Sequence, residues 1–245
     1  MRRLWTGRFR RTRPLAAAEA YALWAERYPP WPHNPLMAIE QQVAAPLIAS
    51  TRPARALDVG TGSGRYLPLL ASTGARLVVG VDMSMPMMTH AVRSVRLPPP
   101  RDASADQVRL VCGDACRLPF GDASFDLVSS FLMVGDVPDL AAWIHEIARV
   151  VAPGGHVIYS DFHPSWATRG WRRTFQAANG RTFEISYSSH AIAEHVAVLE
   201  AQSFDVLAIH EPRPTERDPG VAPAGARGHD VPVVAVLHAV KRGPG

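Results

Sequence analysis

ALDVGTGSGRY, residues 56–66, decides the fold: a short apolar run ends in Asp58, three glycines follow at alternate positions, and a helix-compatible stretch takes over. Gly60, Gly62 and Gly64 let the backbone turn sharply, and they let a ligand approach main-chain atoms where a side chain would collide. Strand, glycine turn and helix in that order form a cradle for a nucleotide-like ligand. The spacing narrows the choice. A dinucleotide site needs G-x-G-x-x-G, with the third glycine where helix meets strand. Arg65 stands at that position instead, and the P-loop lysine is missing, so the loop does not advertise phosphate.

Working outward, strands and helices alternate. Residues 54–59, 76–81, 108–112, 125–130 and 156–161 read as short buried strands, with helices predicted at 65–72, 84–96 and 140–151. Residues 98–107, PPPRDASADQ, read as a loop, and Pro153, Gly154 and Gly155 as a turn into the fifth strand. This period implies parallel pairing with right-handed crossovers. Upstream, Leu15, Ala18, Tyr21, Ala22 and Ala25 fall at helical spacing until Pro29, Pro30 and Pro32 stop them. A second helix begins after Asn34, with Pro35 at a tolerated first-turn position. Downstream, residues 181–187 alternate loosely, 191–201 read as helix, and 204–210 and 231–240 as strands joined by a Pro/Gly-rich loop. Two final strands without a helix between them pair antiparallel, which makes the sheet mixed.

At 245 residues, 47% apolar, the chain is long enough for one large core, and a single domain is expected over 15–245, with a helical cover at 15–53. The net charge of +4 owes everything to six arginines in MRRLWTGRFRRTR, residues 1–13; the remaining body is mildly acidic. Residues 1–14 read as a basic tail that little ties down. No apolar run approaches the roughly 20 residues a membrane-spanning helix needs. Cys112 and Cys116 match neither redox nor zinc spacing and read as reduced core residues of a cytoplasmic protein, with no metal site.

With the loop come four further features in order: VVGVDMS at 78–84, GDACRLPF at 113–120, FDLVSS at 125–130 and RVVAPGGHVIYSD at 149–161. From about residue 35 onward the chain resembles the class I S-adenosylmethionine-dependent methyltransferases, whose first motif is an acid followed by G-x-G-x-G. HNPLMAIEQ at 33–41 and DFHP at 161–164 make it similar to their ubiquinone/menaquinone-biosynthesis-like group of small-molecule enzymes. The resemblance implies an α/β, Rossmann-like methyltransferase fold: a seven-stranded, mostly parallel sheet with an antiparallel last strand and helices on both faces. It also implies S-adenosyl-L-methionine as cofactor. Gly60, Thr61, Gly62 and Gly64 would face its methionine part, Asp58 its amino end, and Asp82 both ribose hydroxyls. Asp114 would accept from the adenine amino group, beside the Ala115 backbone, with Met83 on the ring face and Ser130 on the cofactor side as well.

After the fourth strand, methyltransferases acting on adenine bases or glutamine amides carry Asn or Asp, two prolines and an aromatic residue. Here Ser129-Ser130-Phe131-Leu132 departs from that pattern and argues against those substrates. A small organic acceptor, methylated on oxygen, nitrogen or carbon, is expected. Catalytic candidates are Asp136 and His163; a histidine at a strand's carboxyl end lies on the ligand side of an open α/β sheet and titrates near neutrality. A cap at 162–190 brings Trp166, Trp171, Arg172, Arg173, Phe175 and His190, and Tyr21, Trp24, Tyr28, His33 and Asn34 close the pocket from the other side. Three alternatives stand beside this reading. An RNA methyltransferase would use the arginine tail as a phosphate anchor, which the body's charge makes the lesser reading. A non-catalytic module would bind the cofactor without turnover, and a nicotinamide dehydrogenase is opposed by the loop spacing. The sequence is silent on oligomeric state.

Overall fold

The computed structural model describes residues 14–94, 108–214 and 231–243. The arginine tail, the 98–107 loop and most of the loop before the last strand lie outside the described residues. The leading cover is α1 (Ala17–Trp24), extended by a 3-10 turn at Ala25–Arg27, and α2 (Pro35–Thr51). Asn34 caps α2 by accepting from the Met37 N–H at 2.9 Å, and Pro35 occupies the first turn, where its missing N–H costs nothing.

Then come β1 (Arg55–Val59), α3 (Leu67–Ser72), β2 (Leu77–Asp82), α4 (Met85–Ser94), β3 (Val108–Cys112), β4 (Phe125–Phe131), α5 (Leu140–Val150) and β5 (Val151–Phe162). After them follow α6 (Ser165–Thr168), β6 (Arg173–Gln176), β7 (Thr182–Ile185), α7 (Ile192–Ala201), β8 (Phe204–His210) and β9 (Val234–Lys241). Seven strands form one sheet in the order β3-β2-β1-β4-β5-β9-β8. The first five pair parallel, and β9 runs antiparallel to both β5 and β8. Neighbouring residues of a strand serve opposite faces. Leu57, Val128, Tyr159 and Leu237 pack with Trp143 and Ile144 of α5 and Leu199 of α7, whereas Ala56, Leu127, Ile158 and Val236 pack with Ile48 of α2 and Leu70 of α3.

The strand order reverses between β1 and β4, and in an open α/β sheet that is where a crevice opens beyond the carboxyl ends. Three details differ from the sequence expectation. Residues 153–155 do not end a turn before β5 but lie inside it, where the register with β4 shifts between Phe125 and Leu127; Gly154, at φ +76°, supplies the backbone freedom the irregularity needs. The region after β5 is not only a loose cap: β6 and β7 make a separate antiparallel hairpin, whose Phe175↔Phe183 pair is apolar. Cys112 is exposed rather than core, and both cysteines are free.

That hairpin is tied to the leading cover. The Leu15 N–H donates to the Glu184 carbonyl at 2.9 Å, the Ser186 N–H donates to the Leu15 carbonyl at 2.8 Å, and Trp24 stacks on Phe175 at 5.1 Å. Two segments more than 150 residues apart thereby become one cover over the carboxyl edge. Among the described residues no helix is long and apolar enough to cross a membrane.

Candidate active site

Asp58 ends up buried at the switch point, 3% exposed, because β1 carries it between β2 and β4. The Thr61 and Ser129 hydroxyls each donate to its carboxylate at 2.8 Å, yet burial still pushes its pKa up to about 6. The loop that follows is held from its other side. The Gly60 and Thr61 N–H groups donate to the Val81 carbonyl at 2.8 and 3.0 Å, and the Gly62 N–H to Asp82 Oδ2 at 2.8 Å. Asp82 Oδ1 takes the Ser84 N–H at 2.7 Å, so one carboxylate fixes both the glycine loop and the turn after β2. Burial raises the pKa of Asp82 as well.

Gly60, at φ +70°, has no room for a side chain: a Cβ there would drive into Met133. Gly64, at φ +76°, closes the turn by donating to the Thr61 carbonyl at 2.8 Å and does not line the cleft. Gly80 was missed by sequence reading. A Cβ on it would sit 2.9 Å from the Thr61 side chain, and a glycine in mid-strand was the available signal.

Three cavities line up along this edge. A small one of about 70 Å³ is walled by Asp58, Gly60, Thr61, Gly62, Asp82 and Asp136 among others. It shares Gly60, Asp82, Met133 and Asp136 with a larger one of about 340 Å³, where Met83, Asp114 and Ala115 meet the apolar Val81 and Val137. On the opposite side it shares Tyr28 and Leu132 with a third, of about 220 Å³, between the leading helices and the segment after β5. Tyr21 lines all three, so they are parts of one cleft. Met83 is 60% exposed and forms the rim; Asp114 receives the Cys116 N–H at 2.9 Å.

Besides Gly64, two of the predicted site residues stay apart from it. Ser130 is 1% exposed, with its hydroxyl unpartnered, and lines none of the three cavities; the strand pleat gives the Asp58 contact to Ser129 instead. That choice depends on the register Asp58↔Ser129, which the sequence does not disclose. His163 is engaged elsewhere: Nε2 meets Glu211 at 2.7 Å and Nδ1 accepts the Ser165 N–H at 3.2 Å. It shapes the entry to α6 and is absent from the cleft wall, as is His190, which bonds to the Val137 carbonyl and to Glu194.

Asp136 does face the cleft, but in a pair. Arg173, on β6 and 8% exposed, donates to Asp136 Oδ1 and to the Tyr21 hydroxyl, both at 2.6 Å. Asp161 lies against the same group; burial pushes it up to about 7 despite the Phe162 N–H and the Arg173 charge. A second buried pair, Arg65 to Glu40 at 2.8 Å, backs the small cavity, and Glu40 also takes the Ser160 hydroxyl at 2.8 Å. Neither pair was foreseen, since each joins segments far apart in sequence. Among the described residues no group of three or more His, Cys, Asp or Glu is arranged to hold a metal ion.

A family model described as a methyltransferase domain matches residues 57–159, the stretch from the glycine loop through β5. The demethylmenaquinone methyltransferase of Roseiflexus sp. (strain RS-1) is 38% identical over 125 residues, which cover 49% of each chain. The malonyl-[acyl-carrier protein] O-methyltransferase of Methylococcus capsulatus is 29% identical over 177 residues, 70% of this chain and 61% of that one. The chain thus spans about half to three-fifths of the length of these curated relatives. An S-adenosylmethionine-dependent methyltransferase from Mesorhizobium loti shares the fold, with a TM-score of 0.63 at 21% identity over 84% of this chain and 100% of that one. Residues 57–159, which carry the glycine loop bracketed by Asp58 and Asp82, thus match a methyltransferase domain, on a fold shared with a solved S-adenosylmethionine-dependent methyltransferase.

Proposed function

We propose that the chain transfers a methyl group from S-adenosylmethionine to a small organic acceptor, with the cofactor along the glycine loop and the acceptor in the 220 Å³ cavity beneath the cover. The observation that carries this is the continuous cleft with a glycine loop and two acids at its middle. The residues suit the cofactor. Asp58 is a buried carboxyl whose ionisation an ammonium group would favour. A carboxylate accepts through about four lone-pair positions, and Asp82 spends only part of that capacity on backbone N–H groups, which leaves acceptors for a diol. The larger cavity offers Met83, Ala115, Val81 and Val137 to a flat ring, with Asp114 at its edge.

S-adenosylmethionine supplies an electrophilic methyl group on a sulfonium. The protein's share is alignment and exclusion of water: the Arg173, Asp136 and Tyr21 cluster holds the cover down over the point where the three cavities meet. A cytoplasmic setting accords with two free cysteines. Calorimetric titration with S-adenosylmethionine, S-adenosylhomocysteine and NAD tests the reading. Micromolar binding of the two sulfur nucleotides, lost in Asp82→Ala and not seen with NAD, is expected, followed by methyl transfer in an acceptor screen. NAD binding, or no nucleotide binding, defeats it; acceptance of methyl only by RNA turns it toward the nucleic-acid reading.

A further inference from the structure

The arginine-rich run of residues 1–13 has no part in the proposed transfer, yet it enters the fold beside the larger cavity. Its point of entry is fixed. Leu15 is bonded to β7 on both sides, its N–H to Glu184 and its carbonyl to Ser186, and Ala17 and Ala18 just beyond it already line the 340 Å³ cavity. That cavity is acidic: Asp82, Asp114 and Asp136 line it, with no lysine or arginine among the lining residues. The exposed Glu19 and Asp139 directly follow two further lining residues, Ala18 and Pro138. Arg173 answers Asp136, whereas Asp114, Glu19 and Asp139 stand at the surface. The same mouth holds apolar side chains out in water. Met83 is 60% and Met85 56% exposed, although Met87 and Met88 of the same helix α4 are buried. Since α4 packs against α1, this rim and the tail's point of entry are neighbours. Exposed methionines adapt their shape to an apolar partner, and the acids between them favour a cationic one. Residues 1–13 supply both, with Leu4, Trp5 and Phe9 interleaved among six arginines and no acid. At about 3.3 Å per residue, the five steps from Phe9 to Pro14 reach roughly 16 Å, enough to cross the mouth. Tethering keeps such a segment at millimolar effective concentration, so weak contacts suffice.

We infer that residues 1–13 dock across the mouth of the 340 Å³ cavity, with arginines against Glu19, Asp114 and Asp139 and aromatic side chains against Met83 and Met85, and so strap the bound nucleotide in place. The strap rests on the methyltransferase reading for what it covers. The test uses the full chain and S-adenosylhomocysteine. Trypsin cuts after Arg8, Arg10 and Arg11, and mass spectrometry follows the loss of the tail; saturating nucleotide should slow that loss at least about fivefold, because a docked segment is cleaved only when it opens. Calorimetry on a chain lacking residues 1–13 should show nucleotide affinity about five- to tenfold weaker than in the full chain. Raising salt from about 0.05 to about 0.5 M should weaken binding to the full chain toward that level and change the shortened chain little, since exposed charge pairs are screened. Met85→Arg, at a position that lines none of the three cavities, should abolish the protection from trypsin. Tail loss at one rate with and without nucleotide, equal affinity in the two chains, or full protection in Met85→Arg overturns the strap. Protection by polyuridylate RNA or by anionic phosphatidylglycerol vesicles, and not by nucleotide, also overturns it and gives the tail to a macromolecular partner. If the nucleotide binds but the tail ignores it, only the strap falls; if neither chain binds nucleotide, the methyltransferase reading falls and takes the strap with it.

Discussion

At the glycine loop the cleft is walled by the main chain: Gly60, Thr61 and Gly62 are tied to Val81 and Asp82 through their own N–H groups, over a run of three consecutive residues. Under the cover, the wall is made of side chains from four separate places, namely 21–37, 132, 162–174 and 185, joined through rings and one buried ion cluster. The first arrangement survives almost any change in side chains that leaves the glycines and the two acids. The second depends on each ring and charge finding its partner across the fold. A cofactor that never varies suits the first, and an acceptor that differs between relatives suits the second.

The sharpest way to break this contrast is Arg173→Met. It leaves Asp136 and the Tyr21 hydroxyl without their donor in a buried setting, and removing one partner of such a pair costs about 3–5 kcal/mol. Urea unfolding should show a loss of that order. A loss below about 1 kcal/mol would mean that the cluster does not hold the cover. Asp82→Ala comes next and acts on the other half. Hydrogen bonds to a charged group contribute about 1.5–3 kcal/mol, so S-adenosylhomocysteine affinity should fall roughly 10- to 100-fold.

Acidity separates the halves more gently. Asp58 titrates at about 6 and Asp161 at about 7, both above the value of an unfolded aspartate. For an acid raised in this direction, the native state holds the proton more tightly. The associated stability is therefore complete below pH of about 4 and is lost as pH rises through 6 and 7, by at most about 1.4 kcal/mol per pH unit for each proton. Urea midpoints between pH 4 and 8 should fall accordingly. Asp58→Asn should flatten the lower part of the curve and Asp161→Asn the upper part. S-adenosylhomocysteine, if its ammonium meets Asp58, should bind more tightly above pH 6 than below, with proton release visible as a buffer-dependent heat. The smallest effects belong to the rim and the far side. Met83→Ala should leave stability within about 0.5 kcal/mol and weaken the cofactor a few-fold. His163→Gln should cost less than about 1 kcal/mol and leave nucleotide affinity unchanged; a changed affinity would return His163 to the site.

The two halves were also unequally legible. That Asp58, Gly60, Gly62, Asp82, Met83, Asp114 and Ala115 would lie along the cleft was readable because each stands at or just after a strand end, and strand ends follow from apolar runs and turn residues. Asp136 was legible as a residue but not as half of a pair with Arg173. Ser129 rather than Ser130 meets Asp58, and His163 is absent from the cleft wall, because facing is set by strand register and by how the segment after β5 docks.

The order of apolar runs, glycines and prolines along the chain determines by itself the alternation of strands and helices, the parallel sheet and the glycine loop at a strand's end. These are local matters of dihedral preference and burial, settled within some ten residues. Only the tertiary structure decided that Leu15 would splice onto β7 and that Arg173 would reach Asp136 and Tyr21. Such contacts depend on the mutual packing of segments from 37 to more than 150 residues apart, and no local pattern encodes which side chain will face which.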